Sequence, residues 1–254
     1  MGLDNPKLII IFFLNTNIFN LLSYIMVRKT TQKNKGIARR LTKKNNKINY
    51  TFLKNLPIGE SNFFVDVGAH NGVSISNSYP FIKKGWKCIS IEPNPHVFKD
   101  LKKNLELYKN NVKFVQKAVS NKPGKSKFHF DKKGFLANRK KGTRTDRKKG
   151  MRSTMQPLLF NEMSDDHIMV NVDTLTNILD KNKAPKEISI ISIDTEGLDY
   201  EVVQGLDTKK YKINVILTED YAKTKKQKYE LLKQKGYKHV NQEGINSVWV
   251  LKNN

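Results

Sequence analysis

Phe63-Phe64-Val65-Asp66-Val67-Gly68-Ala69-His70-Asn71-Gly72 decides how this chain is read. A short apolar run that breaks into a glycine-rich turn reads as a strand buried on both faces. Glycine there lets the backbone turn tightly and approach a ligand. The turn is not the dinucleotide fingerprint, because His70 takes the place of the middle glycine of G-x-G-x-x-G. Outward from it, residues 86–91 form a second apolar run, and Glu92 follows 20 residues past Gly72. A carboxylate at that point can accept both ribose hydroxyl protons. A glycine turn and then an acid, in this order and at this spacing, point to a nucleoside-cofactor site.

The rest of the chain alternates in the same way. Helices are expected over 73–84, 95–108, 174–180, 200–205 and 223–235, the last stopping at Gly236. Strands are expected over 62–67, 86–91, 112–116, 168–172, 188–193 and 214–217, with an added strand over 125–130. Residues 237–240 and 247–251 flank Gln242-Glu243-Gly244 and suggest a terminal antiparallel hairpin. This order implies an α/β fold: a mostly parallel, doubly wound sheet with helices on both faces and a C-terminal hairpin. Ligands of such sheets bind beyond the carboxyl ends of the strands. The residues there are Asp194-Thr195-Glu196-Gly197 after the 188–193 run, and Glu219-Asp220 after the 214–217 run. Two acids beside a cofactor suit general-base work or the binding of a hydroxyl. Asp199 reads instead as a cap of the following helix.

Three elements together resemble the FkbM family of S-adenosylmethionine-dependent methyltransferases. They are residues 65–72, then Ile91-Glu92-Pro93-Asn94-Pro95, then Ile193-Asp194-Thr195-Glu196-Gly197 with Val203-Gln204-Gly205. Val172-Asp173-Thr174-Leu175 is similar to the family's step into the helix before the fourth strand, and Arg152-Ser153-Thr154 to its Ser-rich stretch. The resemblance spans about residues 63–250 and implies a Rossmann-like class I methyltransferase fold. It implies S-adenosylmethionine as cofactor and a hydroxyl oxygen as methyl acceptor, on a sugar, glycan or other small metabolite. By it, Asp66 and Gly68 would hold the methionine end, within a loop that includes Ala69, His70, Asn71 and Gly72. Glu92 would bind the ribose, with Pro93 and Asn94 beside it, and Gln116, Lys117 and Ala118 would lie near the adenine. Asp194 and Glu196 would face the acceptor. Asp194 is the expected base, ahead of Glu196 and then His70. The family usually carries Lys two residues before the first acid, where this chain has Ser192.

Composition bounds the remainder. The chain has 254 residues, with 47 Lys and Arg against 23 Asp and Glu, a formal net charge of +24. That suits polyanionic partners, although abundant Lys, Asn and Ile would also follow from an AT-rich coding sequence. One cluster stands out. Ten basic residues lie between Lys132 and Arg152, opposed only by Asp131 and Asp146 around that stretch. It reads as a solvated loop that could grip nucleic-acid phosphates, making an RNA ribose hydroxyl a rival acceptor. Single Cys88 excludes an internal disulfide and a multi-cysteine zinc site, and no tight ligand set for a metal is evident. A third reading is a cofactor-binding scaffold without activity.

Residues 8–27 carry no charge. Twenty residues at 1.5 Å each would just cross a bilayer core of about 30 Å. A membrane anchor, an upstream stretch before a true start at Met26, and a buried helix all fit. The Lys and Arg excess of residues 28–47 lies after the segment, so an anchor would leave the main domain facing the cytoplasm. Residues 28–56 then read as a basic linker with helical character, and 57–254 as the catalytic domain.

Overall fold

In a computed structural model, described over residues 50–74, 76–130, 153–155 and 167–252, a seven-stranded sheet organises the chain. Its parallel part comprises β1 (Phe63–Val67), β2 (Lys87–Ile91), β3 (Val112–Val115), β8 (Glu187–Ile193) and β9 (Lys212–Glu219). β10 (Tyr237–Glu243) and β11 (Asn246–Leu251) complete it as a hairpin, in the order β10-β11-β9-β8-β1-β2-β3. β1 lies at the centre, with parallel neighbours β2 and β8. Among the described strands of this sheet β11 alone is reversed, antiparallel to both β9 and β10. This is the mostly parallel, doubly wound Rossmann-like architecture expected, with its C-terminal hairpin.

The central strands form where they do because their Val, Ile, Leu and Phe side chains are buried on both faces. All five residues of β1 are buried, as are the last six of β8. One face packs on α1 (Tyr50–Lys54), α2 (Tyr79–Ile82) and α3 (Pro95–Asn104) through Leu53, Phe81, Ile82 and Leu101. The other packs on α4 (Leu175–Lys181), α5 (Asp199–Gln204) and α6 (Lys225–Gln234) through Ile178, Leu179, Val202 and Leu232. Burying a Leu or Ile side chain contributes about 1.5–3 kcal/mol, so these two layers hold the sheet. Leu53 comes from the basic stretch before the catalytic domain and sits in the same core as Phe64 and Val250.

Three sequence expectations change. No helix fills 73–84; the described part of 73–78 forms turns, and α2 is one turn long. Asn71 Oδ1 accepts from the Val73 and Ser74 amides at 3.1 and 2.8 Å, an arrangement that competes with helix. The 95–108 helix stops at Asn104 and continues only as a 3-10 turn, Glu106–Tyr108. Third, the strands expected over 125–130 and 168–172 are partners in a sheet of their own. The latter, as β7 (His167–Asp173), pairs with β4 (Ala118–Val119) and with the former, β5 (Gly124–Phe130), and β5 pairs with β6 (Ser153–Thr154), making a second, four-stranded sheet.

Residues 8–27, most of the basic linker 28–56 and the basic stretch 131–152 lie outside the described residues. Among the described residues no helix is long and apolar enough to cross a membrane.

Candidate active site

The carboxyl ends of β1, β2, β8 and β9 open on a cavity of about 220 Å³. It is lined by Asp66, Gly68, Ala69, His70, Glu92, Pro93, Lys117, Ala118, Asp194 and Glu196 from the expected set. The topology explains why. Strand order reverses on either side of β1, and the loops diverge there to leave a crevice.

On the β1–β2 side the turn is fixed by backbone geometry. Gly68 (φ 84°) and His70 (φ 49°) both adopt the left-handed region. The Gly68 and Ala69 amides donate to the Ile91 carbonyl at 3.0 and 2.9 Å. A Cβ on Gly68 would collide with the Asp194 carbonyl oxygen, so glycine is required where the two halves of the site touch. The same turn aims Glu92. Its Oε2 accepts from the His70 amide at 3.0 Å and its Oε1 from the Asn94 amide at 2.8 Å. Each oxygen keeps acceptor capacity for a ligand. Burial pushes the Glu92 carboxyl up to about 7, against the pull of those two amides. Asp66, on β1, accepts from the Ser78 and Ser76 hydroxyls at 2.5 and 3.4 Å. His70 is buried, and that burial holds the imidazole below its usual pKa.

Four expected residues fall elsewhere. Asn71 makes the turn described above, and its carbonyl accepts from Asn104 Nδ2 at 2.9 Å. Gly72 (φ 75°) is a packing contact, since a Cβ would lie 2.6 Å from Leu101 Cδ1. Asn94 caps α3, its Oδ1 accepting from the His96 amide at 3.0 Å. Gln116 is exposed and does not line the cavity.

On the β8–β9 side Asp194 follows directly on β8, with its amide on the Val67 carbonyl at 2.9 Å. Glu196 (φ 52°) and Gly197 (φ 108°) turn the chain sharply after it. Burial raises the Asp194 carboxyl well above its ordinary value, and neighbouring Glu219 and Glu196 raise it further. Burial and the nearby acids push Glu219 up to about 8. The two interact strongly enough to act as a pair. The Tyr221 hydroxyl donates to Glu196 Oε2 at 2.7 Å and lies 3.2 Å from Glu219 Oε2. Asp199 is not the expected cap of its own helix. Its Oδ1 accepts from the Thr195 hydroxyl at 2.6 Å and amide at 3.2 Å, and its Oδ2 from the Glu219 amide at 2.7 Å. It therefore ties the loop after β8 to the end of β9.

The cavity also takes residues to which sequence analysis gave no role of their own. Glu219 lines it and follows an apolar run, the signal that marked Asp194. Ser192 lines it too, where its hydroxyl accepts from Asn77 Nδ2 at 3.1 Å. Phe128 comes from β5 of the second sheet and Met155 from just after β6, and neither had a local signal. Lys117 lines the wall while its ammonium reaches Asp173 Oδ2 at 2.7 Å. Among the described residues no group of three or more His, Cys, Asp or Glu is arranged to hold a metal ion.

The sequence pattern of the FkbM methyltransferase domain matches residues 66–239. The chain belongs to the FkbM methyltransferase family. It is a methyltransferase that depends on S-adenosylmethionine. No curated protein matches it. Among solved structures this FkbM-family chain is similar to precorrin-6y C5,15-methyltransferase from Geobacter metallireducens, at 15% identity over 80% of this chain and 86% of that one, TM-score 0.44. It is similar to Aeropyrum pernix fibrillarin with natively bound S-adenosyl-L-methionine, at 8% identity over 77% and 67%, TM-score 0.40. It is also similar to the N-terminal domain of human METTL16 in complex with SAH, at 13% identity over 80% and 67%, TM-score 0.40.

The residues present fit that cofactor. Glu92, held by two amides, offers acceptors suited to a ribose diol, and the buried Asp66 lies next along the same wall. Ala118, Val119, Val97 and Phe128 give an apolar flank of the kind an aromatic base requires.

Proposed function

We propose that this FkbM-family enzyme methylates a hydroxyl oxygen of a sugar, glycan or other small hydroxyl compound. The observation that carries the reading is the Asp194–Glu219 pair, buried at the strand ends in the cavity that also holds Glu92. When bound, S-adenosylmethionine supplies a methyl group already activated on sulfur, with a thioether as leaving group. The protein's work is then alignment and removal of one proton.

An aliphatic hydroxyl is a poor nucleophile until its proton has somewhere to go. Two carboxyls that cannot both ionise keep one proton between them near neutrality, and the remaining basic oxygen accepts a second. With the cofactor bound, this pair would take the hydroxyl proton while the methyl passed from sulfur to the hydroxyl oxygen and the thioether left. Asp199 and Tyr221 hold Glu219 and Glu196 in place while that happens. Gly68 brings the nucleoside wall against the Asp194 backbone, so the reacting groups meet without an intervening layer.

The test is transfer of labelled methyl from S-adenosylmethionine into glycan, RNA, lipid and small-molecule fractions of cells, by wild type and by Asp194→Asn. Label should enter the glycan or small-molecule fraction as an alkali-stable ether. Asp194→Asn should bind cofactor normally and turn over at least a hundredfold more slowly. Label in RNA alone would replace this reading.

A further inference from the structure

α6 buries two of its residues, and one of them is a lysine. Lys228 is 1% exposed and stands one helical turn before the buried Leu232. Lysine is almost never buried this deeply unless it is paired. Its ammonium donates to the Glu219 carbonyl oxygen and lies 2.9 Å from Asp220 Oδ1. The ion pair alone does not account for it. Asp220 also accepts from the Tyr229 hydroxyl at 2.8 Å and the Ser247 hydroxyl at 3.2 Å, and Lys225 lies 3.2 Å from it. Well-packed apolar side chains in place of a buried ion pair are often neutral or stabilising, so Asp220 gives weak reason for a lysine here.

The Glu219 main chain gives a stronger one. β8 ends at Ile193, whose partner on β9 is Thr218, so Glu219 is the first residue of β9 past that pairing. The Asp220 amide turns the other way, to the Ile245 carbonyl at 2.7 Å. An amide and a carbonyl that outrun their neighbouring strand still need partners. At Glu219 both partners are buried ionisable side chains from two helices. The amide donates to Asp199 Oδ2 at 2.7 Å, from the start of α5, and the carbonyl accepts from Lys228 on α6. Hydrogen bonds to ionised groups are roughly twice as strong as neutral ones. The two grips also support each other. Burial raises the Asp199 carboxyl, and the charge of Lys228 is the main pull against that rise.

We propose that Lys228 is a positioning residue for methyl transfer, holding the Glu219 main chain from behind so that the Glu219 carboxyl stays beside Asp194. The inference rests on the reading of Asp194 and Glu219 as proton acceptor given above. Lys228 does not line the cavity and acts through Glu219.

Lys228→Met alone would leave Asp220 short of a countercharge, so Asp220→Asn is added and the ion pair is removed as a neutral unit. The full-length protein is given methyl-labelled S-adenosylmethionine and an extract of its source cells. Labelled ether is counted per cofactor-binding site, with the sites counted by calorimetry. Lys228→Met/Asp220→Asn should bind cofactor with wild-type affinity and keep the apparent KM for it. It should transfer methyl about ten- to a hundredfold more slowly, the scale of an ångström's misplacement of a reacting group. In a Glu219→Gln background the same two substitutions should slow transfer by less than about twofold, because residues that act through one another do not add. A wild-type rate in the double variant, an undiminished effect in the Glu219→Gln background, or loss of cofactor binding overturns the inference and leaves hydroxyl methylation standing. Wild-type protein that binds cofactor and puts no label into an ether removes the hydroxyl reading and this inference with it.

Discussion

The backbone amide of His70 donates to Glu92 Oε2 at 3.0 Å, so the turn after the first strand aims the acid that ends the second. Because His70 stands at φ 49°, the amide direction depends on an unusual backbone shape rather than on the imidazole. Glu92→Ala leaves two amides without their acceptor and removes the group suited to the ribose. Calorimetric titration should show S-adenosylmethionine affinity falling about a hundredfold, the scale of two charge-assisted hydrogen bonds. His70→Ala should preserve most of the affinity, since the contact is made by the main chain.

Cofactor affinity should also follow the ionisation of Glu92. Burial raises that carboxyl to about 7. Binding that needs the carboxylate should weaken as pH falls through that value, and titrations across it should lose this dependence in Glu92→Gln.

Turnover should follow the Asp194–Glu219 pair. With Glu219 pushed up to about 8 and Asp194 raised beside it, the basic form becomes populated only as pH rises. The rate at saturating substrate should climb through about pH 8. In Glu219→Gln, Asp194 titrates without its charged partner, so the rise should move to lower pH. A profile that stays put would take Glu219 out of the pair.

The same groups set a direction for stability in the absence of ligand. A carboxyl whose folded pKa is raised binds its proton more tightly in the folded state than in the unfolded one. Its contribution is fully present below the unfolded value near 4.5 and is lost as pH rises through the folded value. For Glu92 and Glu219 the window runs from about 4.5 to about 7 and 8. The melting temperature of the free protein should fall across that window, and Glu219→Gln should flatten the slope. Asp173 acts in the opposite sense. Burial opposes its ionisation, yet Lys117, Lys181 and Asn177 outweigh that and hold it well below the usual carboxylate range. Its stabilisation is present above the unfolded value near 3.8 and disappears as pH falls below it.

Gly68→Ala should be severe for reasons of space and backbone together. The position has φ 84°, and the new methyl would meet the Asp194 carbonyl oxygen. A loss on the order of 2–4 kcal/mol is expected in denaturant unfolding. Gly205→Ala, whose Cβ would lie 2.6 Å from the Ser120 carbonyl oxygen, has no left-handed backbone to strain. It should cost less.

The parallel core was legible because β1, β2, β8 and β9 are short apolar runs that end in charged turns, and such runs have few alternatives in an α/β chain. Glu92 and Asp194 reach the cavity for the same reason: each is the first polar residue past a buried strand. Asn71, Gly72 and Asn94 looked like ligand contacts by adjacency. What separates them is where each side chain turns, and nothing in local spacing records that. The short helix at Tyr79–Ile82 was overestimated because Asn71 and Ser76 side chains take up amides that a helix would need. Phe128 and Met155 were out of reach. They arrive through pairing in a second sheet between strands far apart in the chain.

An acidic cavity inside a chain of net charge +24 divides attraction from reaction. At long range the molecule draws polyanions, and that pull fades beyond roughly 8 Å at physiological salt. Inside the cavity a ligand meets the carboxyl groups of Asp66, Glu92, Asp194, Glu196 and Glu219 instead. Raising ionic strength should strip away those surface companions while leaving the choice of acceptor intact.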